Sequence, residues 1–402
     1  MARRSAVDST EAVSEPGSPR RWLSVGSSTH PDSVVAGRAA TTAALAGTDP
    51  QLLVVFCSAM RDPAAVLSGI AQVADGVPLI GCSSEAIVGT DGLTGDGVVV
   101  TALGGPGFQV HTAAASAAAG RQREAGAEAA ACSTAVRDRP YRVLLLLTDG
   151  LTPYQETILA GVYSVVGASL PLVGGSASPA PSLGRTFQLH GQQVLSDSVV
   201  GAVIGSDAPI GVGLRHGWRS TGEPLVVTRS VNGTVKTLND QPAVTTYLNR
   251  LRAPARAHTD SAAFHEFART RPIGVSRRTG VHVRDISSIA YLSEGWLHSS
   301  GDIPEGGLIW LLEGDVSSVL EATSQAAADA VSSLGGLAPL GLLSFDCVSR
   351  SAILGETGMR DEVSRLMATG VPVAGMYTFG EIARVEGINA YHNLTLAVLA
   401  MG

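Results

Sequence analysis

The chain has 402 residues, 45% of them hydrophobic and 16% charged, enough apolar material for two or three compact domains with real cores. With 28 Lys and Arg against 35 Asp and Glu, a net charge of -7 and 4% aromatic residues, it lacks the basic, aromatic surface that binds a phosphate backbone or stacks bases, so no nucleic-acid partner is expected. Four scattered cysteines without a C-x-x-C pair give neither a zinc knuckle nor a disulfide framework, and no apolar run approaches the roughly 20 residues of a membrane span.

Residues 1–22 mix charges with Ser, Pro and Gly and hold no signal-peptide core; they read as a disordered tail on a cytoplasmic protein with no membrane partner. Beyond them, three strand-like runs each open a similar unit: QLLVVFCSA at 51–59, YRVLLLLTDG at 141–150 and LGLLSFDC at 340–347. A segment of helical length follows, then a short strand built on Pro-x-x-Gly: VPLIG with Pro78 and Gly81, LPLVG with Pro171 and Gly174, VPVAG with Pro372 and Gly375. The 20, 22 and 26 residues from Ser58, Asp149 and Asp346 to those prolines leave room for one helix and its turns. Each unit closes with a third apolar run, GDGVVVTAL at 95–103, SDSVVGAVIG at 196–205 and YHNLTLAVLA at 391–400.

The fold class predicted from this pattern is α/β, mixed α+β: repeated strand-helix-strand-strand units forming mixed sheets, with helices packed on their faces, in two tandem domains. Between the units, Ala-rich residues 112–135 read as a surface helix linking the first two. Asn232-Gly233 between alternating apolar runs signals a type I′ hairpin, QPAVTTYLNRL at 241–251 reads as a helix, and VHVRDISSI, EGWLHSSGDI and GLIWLLEG read as strands of a second sheet. An Ala-rich helix is expected over 315–334. The boundary falls near residue 240, with two units in 23–240 and a third, elaborated unit in 241–402.

In a βαβ unit, ligands gather where parallel strands end. That rule selects Cys57, Ser58, Cys82, Ser83, Ser84 and Glu85 in the first unit and Thr148, Asp149 and Ser176 in the second. In the third it selects Asp346, Cys347, Arg350, Tyr377, Thr378 and Glu381, the richest set. Arg350 offers a planar fork for a carboxylate and Glu381 an acceptor for an ammonium group. They read either as a clamp on a zwitterion such as an amino acid or as a pair closed on itself. His392 and Asn393 complete the candidate ligand-binding residues. A Cys347 nucleophile with His392 as base would make a hydrolase or transferase, but nothing fixes that pairing, so no residue receives a catalytic role and an enzyme is not the expected reading. No metal site and no cofactor are expected; if haem is bound, His216 in LRHGW and His392 are the axial candidates.

Several of these motifs occur together in one order, and in this the chain resembles the FIST domain family from about residue 30 to 402. The FIST N-terminal pattern is visible in VPLIGCSSEAIVG, in LPLVGGSASP followed by RTFQLHG, in LRHGWRSTGEPLVVTRSVNG and in LNDQPAVTTYL. The C-terminal pattern is visible in VRDISSI, GDIPEGGLIWLL, SFDCVSR, GMYTFGEIA and YHNLTLAVLA. The resemblance implies a sensory input domain of bacterial signalling proteins that binds small molecules such as amino acids; some members look like haem-binding nitric-oxide sensors. No kinase, cyclase, receptor or F-box segment is visible, so the expected output is a separate signalling partner protein, or there is none.

Overall fold

The computed structural model describes residues 20–402 apart from 153, 181–183, 232, 278–279, 287–291, 300 and 386–387. Most of the expected tail lies outside the described residues, and β1 already begins at Trp22.

The first unit runs β1 (Trp22–Ser28), α1 (Ser33–Ala44), β2 (Pro50–Ser58), α2 (Pro63–Ala74), β3 (Leu79–Ser84), a hairpin of β4 (Ile87–Gly89) and β5 (Gly92–Thr94), and β6 (Val98–Gly104). Both helices start on an aspartate: Asp32 accepts from the Val35 N–H, and Asp62 from those of Ala64 and Ala65, with Pro63 at the first helical position. The second unit repeats the series as β7 (Phe108–Ser116), α3 (Gln122–Ala130), β8 (Tyr141–Asp149), α4 (Gln155–Val166), β9 (Leu172–Ala177), the hairpin β10 (Gln188–His190) and β11 (Gln193–Leu195), and β12 (Ser198–Ser206).

The third unit opens with β13 (Ile210–Arg215) and is then interrupted. The insertion comprises β14 (Arg219–Ser220), β15 (Leu225–Val231), β16 (Thr234–Leu238), β17 (Gln241–Pro242), α5 (Ala243–Arg250), α6 (Ser261–Ala268), β18 (Ile273–Arg277), β19 (Gly280–Arg284), β20 (Leu297–His298) and β21 (Leu308–Glu313). The unit resumes as α7 (Val316–Ser332), β22 (Gly341–Cys347), α8 (Val348–Met367), β23 (Val373–Thr378), the hairpin β24 (Glu381–Val385) and β25 (Ile388–His392), and β26 (Leu396–Met401).

The repeat is real. β2 and β3, β8 and β9, and β22 and β23 are parallel pairs, and the closing strands β6, β12 and β26 return antiparallel to β2, β8 and β22. The strand orders are β1-β6-β2-β3, β7-β12-β8-β9 and β13-β26-β22-β23. The recurring Pro-x-x-Gly has a physical reason at both ends. The carbonyls of Pro78, Pro171 and Pro372 accept from the N–H groups of Leu53, Leu144 and Leu342 at 2.8, 2.9 and 2.9 Å, starting each parallel ladder with a residue that need donate nothing. At Gly81, Gly174 and Gly375 a Cβ would collide with Val55 O, Leu146 O and Ser344 Oγ on the neighbouring strand.

Each hairpin leaves its own unit. β4 pairs with β23 of the third unit, β10 with β3 of the first, and β24 with β9 of the second. The inner faces of the three sheets meet in one core that includes Phe56, Leu145 and Phe345, with Phe56 and Phe345 edge to face at 5.9 Å between centroids. Each such side chain contributes about 1.5–3 kcal/mol by leaving water. The outer faces are covered by α1 and α2, α3 and α4, and α7 and α8.

One sequence expectation changes. Residues 112–116 of the Ala-rich segment are not helix but the second half of β7, which pairs with β12 over nine residues; only 122–130 form the helix α3. Cooperative pairing along a whole strand outweighs the helical preference of alanine. The insertion forms a sheet in the order β17-β16-β15-β21-β18-β19, with its own core around Tyr247 and Phe264, and spans both sides of residue 240. The β15–β16 hairpin has the two-residue loop expected, Val231 facing Thr234 with Gly233 at φ +74, while Asn232 lies outside the described residues.

Candidate functional site

The strand ends of the third unit hold two separate polar clusters. The α8 helix begins at Val348, directly after Cys347, so Arg350 stands one turn above Asp346 and is fully buried. Its Nε lies 2.8 Å from Asp346 Oδ1, and its Nη2 pairs with Glu362 Oε1 and donates to Thr323 Oγ1 at 2.8 Å. Tyr377 donates its hydroxyl to Glu362 Oε2 at 3.0 Å, and Thr323 donates to Glu362 Oε1 at 2.8 Å. Burial and the neighbouring Glu362 push Asp346 well above the carboxylate range. Burial alone would raise Glu362 too, but Arg350 outweighs it and holds Glu362 down. Glu362 is therefore the carboxylate favoured as the partner of Arg350, and Asp346 the one that burial and Glu362 disfavour as an anion.

Glu362 was not selected from the sequence. It reaches Arg350 because α8 is kinked at Gly355 (φ 61, ψ -179), which turns the second half of the helix back over the first. The available signal was a lone carboxylate between Met359, Val363 and Leu366 on an otherwise apolar face.

Side chains alternate along a strand, so Thr378 faces away from Tyr377 and into the second cluster. Buried Glu381 accepts from Thr378 Oγ1 at 2.6 Å, from the Thr395 N–H at 3.1 Å and from Thr395 Oγ1 at 2.7 Å. Burial outweighs these bonds and raises its carboxyl to about 7. Arg350 and Glu381 thus belong to separate clusters and do not form one clamp: Arg350 is held by Glu362, Thr323 and the Asp346 ion pair, with Nη1 3.5 Å from the His216 carbonyl, and Glu381 by Thr378 and Thr395. Cys347 is buried and its thiol pushed upward by burial, and among the described residues no hydrogen bond joins it to His392. The geometry supplies no activated nucleophile there.

His392 and Asn393 lie elsewhere, around the loop into β26. His392 lines a cleft of about 460 Å³ between β13, α7 and β19, together with His216, Trp218, His282 and Glu321. The loop is built around Leu394, whose φ is +57 and whose carbonyl accepts from Trp218 Nε1 at 3.1 Å. His216 Nδ1 accepts from the Trp218 N–H at 2.9 Å, and the His282 and His392 rings lie 5.0 Å apart. Burial, with the nearby arginines, lowers His216 and His282 to about 4, and burial with His282 holds His392 well below the usual range. All three are neutral near pH 7. The His392 ring also bonds to the Ala383 backbone, and its Nε2 is buried without a partner among the described residues. A carbonyl can only accept, so the neutral ring spends its one N–H there and Nε2 is a bare lone pair. On the rim, Arg215 is paired with Asp329 at 2.6 Å and Arg219 with Asp315 at 3.5 Å, both in solvent.

Among the described residues no group of three or more His, Cys, Asp or Glu is arranged to hold a metal ion, and no helix is long and apolar enough to cross a membrane. Of the sequence-selected residues, the structure groups Asp346, Arg350 and Tyr377; Thr378 and Glu381; and His216 with His392.

Comparison with known proteins agrees with this architecture. Two uncharacterized proteins of Mycobacterium tuberculosis, MT0656 from strain CDC 1551 / Oshkosh and Rv0628c from strain ATCC 25618 / H37Rv, are each 26% identical over 398 residues, covering 94% of this chain and 98% of theirs. Among solved structures, PurLQS from Thermotoga maritima (12% identical, 96% of this chain and 74% of that one) and T. maritima PurL complexed with ADP (10%, 94% and 71%) align at a TM-score of 0.21 each, too low to relate the folds. The FIST N domain matches residues 51–241 and the FIST C domain residues 243–384, so their junction falls between β17 and α5, inside the inserted sheet. Together they cover most of the chain, which belongs to the FIST family, whose domains are associated with sensing in signal transduction.

Proposed function

We propose that this protein is a cytoplasmic small-ligand sensor, and that its ligand, an amino acid or a similar zwitterionic metabolite, binds in the cleft over His392. The observation that supports this is the buried Nε2 of His392, unpartnered among the described residues, an acceptor that costs free energy until a donor reaches it. A ligand ammonium group supplies that donor and is further held by Glu321, while the Trp218 ring forms an aromatic wall. The carboxylate is met at the rim by Arg219, whose partner Asp315 is exposed and readily exchanged. The cleft joins the inserted sheet to α7, so a bound ligand ties the insertion to the repeat core; that change is what a separate signalling partner reads.

A thermal-shift screen of amino acids tests this. A ligand at 100 times its dissociation constant adds about 2.7 kcal/mol to stability. At least one should shift wild type, and His392→Ala should lose that shift. No shift from any of them, or a full shift in His392→Ala, overturns the reading. The same lone pair favours haem as the alternative, because a neutral imidazole Nε2 is an iron ligand. Haem would supply the gas-binding iron of a nitric-oxide sensor, with His392 or His216 as its axial residue. A Soret band on reconstitution that His392→Ala or His216→Ala abolishes would move the assignment to haem.

A further inference from the structure

A second cleft of about 500 Å³ lies behind His282, between α4, the β18–β19 hairpin and β25. Its chemistry is opposite to that of the first. The first offers lone pairs and recognises donors; this one is built around Arg284, which is 3% exposed. A buried guanidinium is ordinarily compensated by charge-assisted bonds of about 2.7–2.9 Å. Among the described residues, none of the bonds to Arg284 is that short. Nη1 reaches the Val283 and Tyr391 carbonyls at 3.2 and 3.3 Å and Asn393 Oδ1 at 3.5 Å. Nη2 stands 3.3 Å from Glu156 Oε1, on a half-exposed side chain, and Nε has no partner among the described residues. Arg277 borders the same cleft and donates to the Asp302 carbonyl at 3.2 Å. Two guanidinium groups therefore line one cavity, and the deeper is under-bonded among the described residues. The opposite wall, Leu159, Ala160 and Tyr163 on α4, is largely apolar.

We propose that this cleft is a second ligand site, which holds the carboxylate of a small organic monoanion between Arg284 and Arg277 and lays its apolar body against Leu159, Ala160 and Tyr163. The planar fork of Arg284 matches a carboxylate, and burial gives that match its strength. The carboxylates of Glu156 and Asp302 on the lining repel a more highly charged ion, which favours a monoanion over phosphate. His282 is the wall common to both clefts, so the two ligands sit on either side of one ring.

The test is calorimetric titration of the full chain with benzoate, hexanoate, benzamide and inorganic phosphate. Benzoate or hexanoate should bind at millimolar concentration or below, and benzamide, which has the same shape without the charge, should not. Arg277→Ala should weaken carboxylate binding about tenfold, while Glu156→Gln, by removing the competing carboxylate, should tighten it. Both positions border solvent, so the fold is kept in each variant. His392→Ala should leave this binding unchanged, which separates it from the first cleft. The proposal is overturned if neither carboxylate binds, if benzamide binds equally, if phosphate binds as well as they do, or if Arg277→Ala and Glu156→Gln leave the affinity unaltered.

Discussion

Glu381 shows what a single buried carboxyl does to the pH response of the fold. Its carboxyl rises from an ordinary 4.5 to about 7 because burial outweighs the three donors from Thr378 and Thr395. A folded-state value above the unfolded one means that the native protein binds the extra proton. The stabilisation is therefore complete below about pH 4.5 and is lost as pH rises through about 7. Glu381→Gln stays neutral and lacks this dependence. Comparing denaturant unfolding of the two proteins across that range, the advantage of wild type should shrink by up to about 3 kcal/mol as pH rises. Parallel pH profiles would show that Glu381 is ionised throughout. The lowered histidines act in the opposite direction, losing stability on acidification, but they are common to both proteins and cancel in the difference. Arg350 and Glu381 were legible in the sequence as charges at the end of a buried strand. Which partners they have was not, because Glu362 comes within reach only through the Gly355 kink and Thr395 only through the return of β26.

Among the elements, the Pro-x-x-Gly strands were the most readable, since proline and glycine report backbone requirements that do not depend on distant context. Gly174 tests the point. It sits at φ +147 with no space for a Cβ against Leu146 O, whereas Gly222, in the turn after β14, has open space around it and no positive φ. Gly174→Ala should cost about 3 kcal/mol or more, and Gly222→Ala no more than about 0.5, by chemical denaturation. Equal losses at the two sites would mean that the strands part easily and that close approach does not explain the motif. β7 was unreadable for the converse reason. Its alanines have no strand preference of their own; they are small because α3 packs closely on that sheet face, with Ala115 against Ala125 and Ala129 in one core. The clefts were hidden as well, since their walls join β13, β19, α4 and α7, and only His216 and His392 carried a signal that survived in isolation.

For the whole molecule, the exchanged hairpins mean that no unit completes its own sheet. Cutting the chain between β12 and β13 leaves β9 without β24 in one piece and β23 without β4 in the other, exposing unpaired strand edges on both. The pieces 20–207 and 208–402 expressed separately should aggregate or lack a cooperative melt, and co-expressed they should copurify. A cooperative melt of either piece alone would show that the exchange is dispensable. The direction of the exchange has a further consequence. The first unit gives to the third, the third to the second and the second to the first, so each gives on one side and receives on the other. Such a contact between identical subunits would be heterologous, and its rotation closes after three steps. A short chain consisting of one such unit could satisfy every pairing seen here only as a C3 homotrimer. The long chain is the covalent counterpart of that ring, and because its three members are not identical, only one of them carries an insertion and the clefts beside it.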